Sequence, residues 1–338
     1  MKTYELHPGF GFDNLKIADR PGPTPGPGQI VVNMRAWSLN YRDLLVVTGQ
    51  YNPKLKLPLV PLSDGAGEVA AVGPGVTRVK PGDRVAGIFM QKWLAGRLTD
   101  DFARSALGGA IDGVLAEQML FSADGVVRVP DHLSFEEAAT LPCAALTAWN
   151  GLVESGRVKA GEVVLVQGTG GVSLFALQFA KMHGARVIAS SSSDAKLARV
   201  KQLGAAELIN YKTTPEWGKR AAELGGVDHV VEVGGAGTMG ESLRAVRHGG
   251  HIALIGILTG GGLSFNPIPV LMKGVRVQGI FVGSREMFES MNAAIAVTGL
   301  KPVIDRVFEF GEFAQALRHM QSGAHFGKIV VRRSPQLR

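Results

Sequence analysis

The chain has 338 residues, 46% of them hydrophobic and 19% charged, with a formal net charge of +7 and one cysteine. That length suits two globular domains rather than one core. A single cysteine excludes an internal disulfide framework and a four-cysteine structural zinc, and it fits a reducing, cytoplasmic setting.

Residues 1–127 read as β-rich. Pro21–Gly28 is a turn-forming linker that cannot sit inside a sheet. Gln29–Trp37 and Gly65–Val72 follow as strands, and Val79–Val85 turns into a third. Lys92–Gly113 is charged, contains Gly108-Gly109, and reads as an irregular lobe or flap. Ser134 and Glu137 form a capping box that opens a helix. A second helix is expected over about Ala144–Ser155.

From Val163 the pattern changes. Val163–Val166 is a short buried strand, a glycine-rich turn follows, and a helix continues to Gly184. Gly168 and Gly170 fill the first two places of G-x-G-x-x-G, and Ser173 takes the third, where it should loosen helix–strand packing slightly. The first amides of that helix, around Gly171 and Val172, lack intrahelical partners and suit an anionic pyrophosphate. Strands at Val187–Ser190, Leu208–Asn210, Val227–Val233 and His251–Ile257 alternate with helices at Ala195–Leu203 and Gly237–Arg247, the last closed by Gly249-Gly250. That rhythm implies a doubly wound parallel sheet. Ser264–Val282 is mostly strand-like without an intervening helix, and could form a sheet edge through which a homodimer pairs. Helices at Met287–Thr298 and Phe313–Ser322 and a strand at Lys328–Arg332 close the chain.

No apolar run reaches the ~18 residues of a membrane span, and no secretory signal is evident. The basic residues are scattered, the most obvious group being the short Arg332-Arg333, so neither membrane nor nucleic acid is an expected partner.

Several stretches stand together in a recognisable order: Pro25–Gln29, Leu39-Asn40-Tyr41-Arg42-Asp43, Val79–Val85, Leu141–Trp149, the glycine turn, Ala185–Val187, Ile209-Asn210-Tyr211 and Gly249–Gly256. Over nearly its full length the chain resembles the medium-chain dehydrogenase/reductase superfamily, and within it the zinc-independent, quinone-oxidoreductase-like branch. The resemblance implies an α/β fold with a doubly wound dinucleotide-binding domain (residues 128–287) inserted into a β-rich, partly open barrel-like catalytic domain (1–127 and 288–338). It also implies a nicotinamide cofactor held between the domains.

Zinc-dependent relatives hold a metal with a cysteine, a histidine-glutamate pair and a second cysteine. Those places here match Asn40, Ser63-Asp64 and Cys143, so no zinc is expected. Cys143 reads first as a small buried residue near a helix start. At the end of the second strand, the acid that binds an NAD ribose is replaced by Ser190–Ser193. Asp194 comes too late and is expected to cap the next helix. In the resembling branch, a lysine and a tyrosine matching Lys196 and Tyr211 contact the 2′-phosphate. The plainer reading is a solvated lysine and a packing tyrosine. Together with Ser191 these residues favour NADP, with NAD possible. By the same resemblance Thr147 touches the nicotinamide, and the backbones of Ile255, Ile280 and Val282 receive its carboxamide.

Without a metal, neutral donors must stabilise charge on the substrate oxygen. The candidates are Asn40 and Tyr51, against their readings as a turn residue and a packed aromatic. The function expected is reduction of a quinone or α,β-unsaturated carbonyl, a small-molecule substrate. The alternatives are an alcohol dehydrogenase or ketone reductase, and a catalytically idle dinucleotide-binding sensor or structural protein.

Overall fold

A computed structural model describes residues 1–260 and 266–334. The chain divides into two compact units, one formed by Met1–Leu146 with Gly283–Arg338 and the other by Thr147–Val282.

The first unit begins with a hairpin-like pair, β1 (Lys2–Leu6) and β2 (Leu15–Asp19), joined antiparallel. Next come β3 (Gln29–Ser38), α1 (Tyr41–Val47), β4 (Asp64–Val72), β5 (Arg84–Gly87), β6 (Gln118–Ser122) and β7 (Val126–Arg128). The second unit supplies β8 (Val163–Gln167), β9 (Arg186–Ser191), β10 (Glu207–Asn210), β11 (Val227–Glu232), β12 (Val246–Leu254) and β13 (Arg276–Gly279). The chain then returns to the first unit with β14 (Ile304–Glu309) and β15 (Lys328–Arg332).

Among the described residues, the first unit carries a seven-stranded sheet in the order β14-β15-β3-β4-β5-β7, with β6 pairing β3. Its core gathers Leu6, Ile30, Met34, Trp37, Leu62, Val114, Phe310 and Phe313. The Trp37 indole also satisfies its N–H on the Val114 carbonyl at 2.6 Å, so a large ring is buried without an orphaned donor. The second unit is a six-stranded sheet in the order β10-β9-β8-β11-β12-β13. Its pairs are parallel throughout, the doubly wound arrangement whose ligand crevice lies at the carboxyl ends of the strands.

The unit boundaries differ from the expected 127/128 and 287/288. Residues 128–146 and 283–287 belong with the β-rich unit. The reason is pairing and packing: β7 runs on to Arg128 against β5, and Arg285 and Glu286 donate backbone N–H groups to the carbonyls of Trp93 and Leu94.

Three local expectations are corrected. The stretch expected to be strand-like over 264–282 contains a helix, Ile268–Lys273, before β13; residues 264 and 265 lie outside the described residues. Asn266 Oδ1 accepts the Ile268 N–H, Pro269 pre-sets the first turn, and Gly274 ends the helix in the left-handed conformation. The helix expected to run to Arg247 ends at Ala245, and β12 passes straight through Gly249-Gly250. The region expected as one helix near Ala144–Ser155 is a succession of π, α and π turns from Leu141 to Glu154. The capping box at Ser134 and Glu137 is present, with both reciprocal hydrogen bonds formed. The Lys92–Gly113 lobe is largely irregular, with a short helix at Asp100–Ala103, but it is anchored by buried Trp93 and Leu107.

Candidate functional site

In the parallel-sheet unit, β8 ends at Gln167 and the chain turns through Gly168 at φ +71°, a conformation that costs glycine nothing. The Gly168 N–H donates to the Ser190 carbonyl at 2.7 Å, which draws the turn against the end of β9. A helix follows over Gly171–Met182, and its first intrahelical bond runs from Leu174 N–H to Gly170 O. The preceding amides, those of Gly171 and Val172 among them, are the donors an anion would meet. A Cβ placed at Gly168 or Gly170 would meet nothing within 4 Å, so the space above the turn is open. Ser173 does not loosen the packing. Its hydroxyl donates to the Gln167 carbonyl at 2.6 Å and ties helix to strand.

The next strand end brings Ser191, Lys196 and Tyr211 into one neighbourhood. Ser191 is buried, pairs with Asn210 across β9 and β10, and accepts the Tyr211 N–H on its carbonyl at 3.1 Å. The helix cap after β9 is Ser193, not Asp194: its hydroxyl accepts the Lys196 N–H, while Asp194 is the first helical residue and receives Asn210 Nδ2 at 2.7 Å. Lys196 is half-buried in that first turn and the Tyr211 ring is exposed.

At the far side of the sheet, Ile255 N–H donates to Glu232 O and Ile280 N–H to Leu254 O. Gly151 allows the helical segment carrying Thr147 to approach these strand ends: a Cβ there would stand 3.1 Å from the Ala253 Cβ and within 3.7 Å of Ile280 and Ile255. Val282 has φ +57°, strained for a β-branched residue, and Asn150 Nδ2 holds its carbonyl at 2.7 Å. The structure thus brings Ile255, Ile280 and Val282 to the helical segment that carries Thr147, and adds Asn150, which the sequence reading missed.

The β-rich unit holds a different kind of site. The order β15-β3-β4 places Val330 opposite Ser38, and Ser38 opposite Asp64. Asn40, Asp64 and Lys328 therefore come from the ends of three neighbouring strands. Asn40 precedes α1, and its N–H donates to Asp43 Oδ2 at 2.7 Å, half of a capping box. Lys328 is buried, and its Nζ donates to Leu39 O at 2.6 Å and to Asn40 Oδ1 at 2.7 Å. Asp64 is wholly buried and accepts from the Ser63 hydroxyl at 2.7 Å and from the Cys143 N–H at 3.0 Å. Leu62, at φ +68°, sets the backbone direction into this pair.

Burial raises the Asp64 carboxyl above its ordinary value, opposed by Lys328, Ser63 and the Asn40 amide. Asp43 is pushed up to about 7, again by burial first. Burial lowers Lys328, with Asp64 the main opposing influence. The Cys143 thiol is pushed far up by burial and by Asp64, which keeps it protonated and poorly suited as a ligand or nucleophile. Although its amide side contributes to stabilising Asp64, Asn40 Nδ2 is buried without a hydrogen-bond partner of ordinary geometry.

Tyr51 does not share this cluster. It follows the C-terminal end of α1, whereas Asn40 stands at the N-terminal end, and the exposed Tyr51 ring lies under the Arg42 guanidinium, 4.9 Å from its centroid. A cavity of about 540 Å³ opens beside the lobe, lined in part by Gln91, Lys92, Leu107 and Phe121; none of the expected site residues lines it.

Two family models match the chain, one described as an alcohol dehydrogenase GroES-like domain over residues 26–131 and one as a zinc-binding dehydrogenase over residues 171–297. A zinc-type alcohol dehydrogenase-like protein of Schizosaccharomyces pombe is 45% identical, covering 95% of this chain and 96% of its own. The chain belongs to the medium-chain dehydrogenase/reductase superfamily. The quinone oxidoreductase of Sus scrofa is 31% identical over 91% of this chain and 90% of its own. A solved NAD-dependent alcohol dehydrogenase is 35% identical with a TM-score of 0.89, covering 98% of this chain and 99% of that one.

Superfamily membership, and the description of one matched model, raise the question of zinc. The residues present do not fit it. Among the described residues no three His, Cys, Asp or Glu side chains come together to hold a metal. Around Asp64 and Cys143, a lysine amine already occupies the acceptor of Asn40. The dinucleotide is a different case, because the open glycine turn and its helix amides fit a pyrophosphate. Among the described residues no helix is long and apolar enough to cross a membrane.

Proposed function

We propose that this oxidoreductase uses NADPH to reduce quinones or α,β-unsaturated carbonyl compounds, without a metal. The observation that carries the reading is the Asn40 amide, held by Lys328 on its oxygen so that Nδ2 is turned away as a donor, beside a cluster unsuited to zinc. NADPH, when bound, supplies the hydride. The amides of Gly171 and Val172 beyond Gly168 and Gly170 would hold its pyrophosphate, Ser191, Lys196 and Tyr211 its 2′-phosphate, and Thr147, Ile255, Ile280 and Val282 its nicotinamide end. Asn40 donates to the substrate oxygen as negative charge develops there. In a conjugated substrate that charge is shared with an enolate or quinol system, so a neutral amide suffices. A saturated ketone concentrates it on one oxygen and needs more help. The related quinone oxidoreductase supports this choice.

Turnover of 1,4-benzoquinone, an enone, and the matching saturated ketone and alcohol, each with NADPH and NADH, tests the reading. Faster turnover of the conjugated pair with NADPH is expected. Faster turnover of the saturated pair would instead support alcohol dehydrogenase activity, which the names of two similar proteins favour. Elemental analysis should find no stoichiometric zinc, and a chelator should leave activity intact.

The same reading includes a homodimer. β13 is an edge strand, and the helix before it exposes Ile268, Leu271 and Met272, with Leu271 79% accessible. Sedimentation should show a dimer that Leu271→Lys converts to monomer. A monomeric wild-type chain would remove this element.

A further inference from the structure

We propose that Lys328 is a positioning residue for the reaction: it holds the Asn40 carboxamide with its oxygen inward, so that the Nδ2 amide faces away from the lysine as a ready donor. The inference rests on reading Asn40 as the donor to the substrate oxygen, and it names the part of the protein that makes it one.

A lysine amine head has hydrogens to give to the Asn40 amide and to the Leu39 carbonyl, and its charged form accepts nothing. Nζ stands 2.7 Å from one terminal atom of the Asn40 side chain and 2.6 Å from the Leu39 carbonyl oxygen. The amide atom it meets must therefore be oxygen, because an N–H facing an ammonium would be repelled. That contact alone decides which way the carboxamide is turned. The consequence is visible on the other side, where Nδ2 is turned toward the Asp64 carboxyl, which it stabilises, and one of its two hydrogens is left for a further acceptor.

Lys328 is itself fixed. Its backbone N–H donates to Val303 O at 2.9 Å, and β15 is locked to the residues preceding α1 by Leu39 N–H to Ile329 O and by the Ser38 hydroxyl to the same carbonyl. Asp64, Asp43 and Cys143 face the amine from the other elements around it. The amine also draws electron density from the amide oxygen, which strengthens Nδ2 as a donor in a dry site.

The test is a double-mutant cycle with a direct readout of the amide. Lys328→Met should lower kcat on the order of 10-fold or more, with little change in KM or in NADPH affinity. In an Asn40→Ala background, Lys328→Met should lower kcat no further, because the group it positions is gone. Asn40→Asp keeps an acceptor for Lys328 but sets a carboxyl in place of the donor beside buried Asp64, so it should lose activity with a lowered Tm. In ¹H–¹⁵N spectra, the carboxamide pair that disappears in Asn40→Ala should move in Lys328→Met. Additive losses in the cycle, or an unmoved carboxamide pair, would overturn the proposal. The functional reading fails separately: should wild type turn over the saturated alcohol instead of the enone, the cycle is measured on the alcohol, and non-additivity there still supports the Lys328–Asn40 unit.

Discussion

At the carboxyl ends of β8, β9 and β12, most of the groups proposed to meet the cofactor are backbone amides and carbonyls. At the starts of β4 and β15 they are side chains, buried together and drawn from positions 288 residues apart in the case of Asn40 and Lys328. A backbone site is insensitive to which small residue fills most of its places. It demands only that the turn be possible, as at Gly168. A side-chain cluster is the reverse: each member sets the charge or orientation of the next, so removing one atom changes the function of its neighbour. Substitutions should therefore cut deepest in the β-rich unit and act more gradually, and on affinity, in the parallel sheet.

The largest effect is expected at Asn40. Asn40→Ala should lower kcat/KM for an enone by ~10²-fold or more, as for the loss of one oxyanion donor. NADPH affinity should stay near wild type, while Tm falls because buried Lys328 loses an acceptor. Steady-state kinetics and a binding titration separate these quantities. An unchanged kcat/KM would remove the contrast between the two regions.

Next come the residues proposed to select the 2′-phosphate. Ser191→Asp would place a carboxylate at the end of β9 and should weaken NADPH far more than NADH. Lys196→Ala should weaken NADPH by ~1.5–3 kcal/mol, the cost of a lost charged hydrogen bond. Calorimetric titration with both cofactors measures this. Equal losses for NADPH and NADH would mean that these residues serve the fold instead.

The parallel-sheet unit also holds side-chain clusters away from the proposed ligand groups, which sharpens the contrast. His251, buried beside His229 with Nε2 3.1 Å from the Ser155 hydroxyl, has its pKa lowered to about 4 from 6.5, first by burial and then by Arg276 and His229. The unfolded chain takes up this proton more readily than the folded one. Its contribution is complete above pH 6.5 and is lost as pH falls from there to about 4, by at most about 3 kcal/mol. His251→Gln should flatten the Tm profile across that window while leaving the Asn40 kinetics untouched. A profile identical to wild type would refute this.

How far each region could be read in advance follows from the same contrast. The glycine turn, the strand rhythm and the neutral end of β9 lie within short stretches of sequence, so periodicity and spacing reveal them. The helix Ile268–Lys273 gives no amphipathic stripe because Ile268, Leu271 and Met272 are exposed and only Val270 packs against a core. Asn40 and Asp64 stood out through resemblance. Lys328 did not, because a single lysine opening an apolar strand carries no local sign of its partner near the N-terminus. Asp43 offered a faint signal, since an acid three residues after Asn40 is a capping spacing.

The smallest effect is expected at Tyr51, which is where the comparison is easiest to misjudge. It was paired with Asn40 as a donor, yet α1 separates the two along its length, roughly 10 Å for seven residues. Its ring is held by Arg42, whose guanidinium also lies 4.8 Å from the Phe89 ring centroid and donates to Leu107 O at 2.9 Å. Tyr51→Phe keeps that ring contact and removes only an exposed hydroxyl, so Tm should not move. If the hydroxyl places substrate, KM should rise a few-fold with kcat unchanged, the pattern of lost uniform binding. Tyr51→Ala removes the ring as well and should free the Arg42 side chain, raising KM further and lowering Tm slightly. A fall in kcat for Tyr51→Phe as large as that for Asn40→Ala would make the hydroxyl a second oxyanion donor, and the separation of the two residues along α1 would have to close when substrate binds.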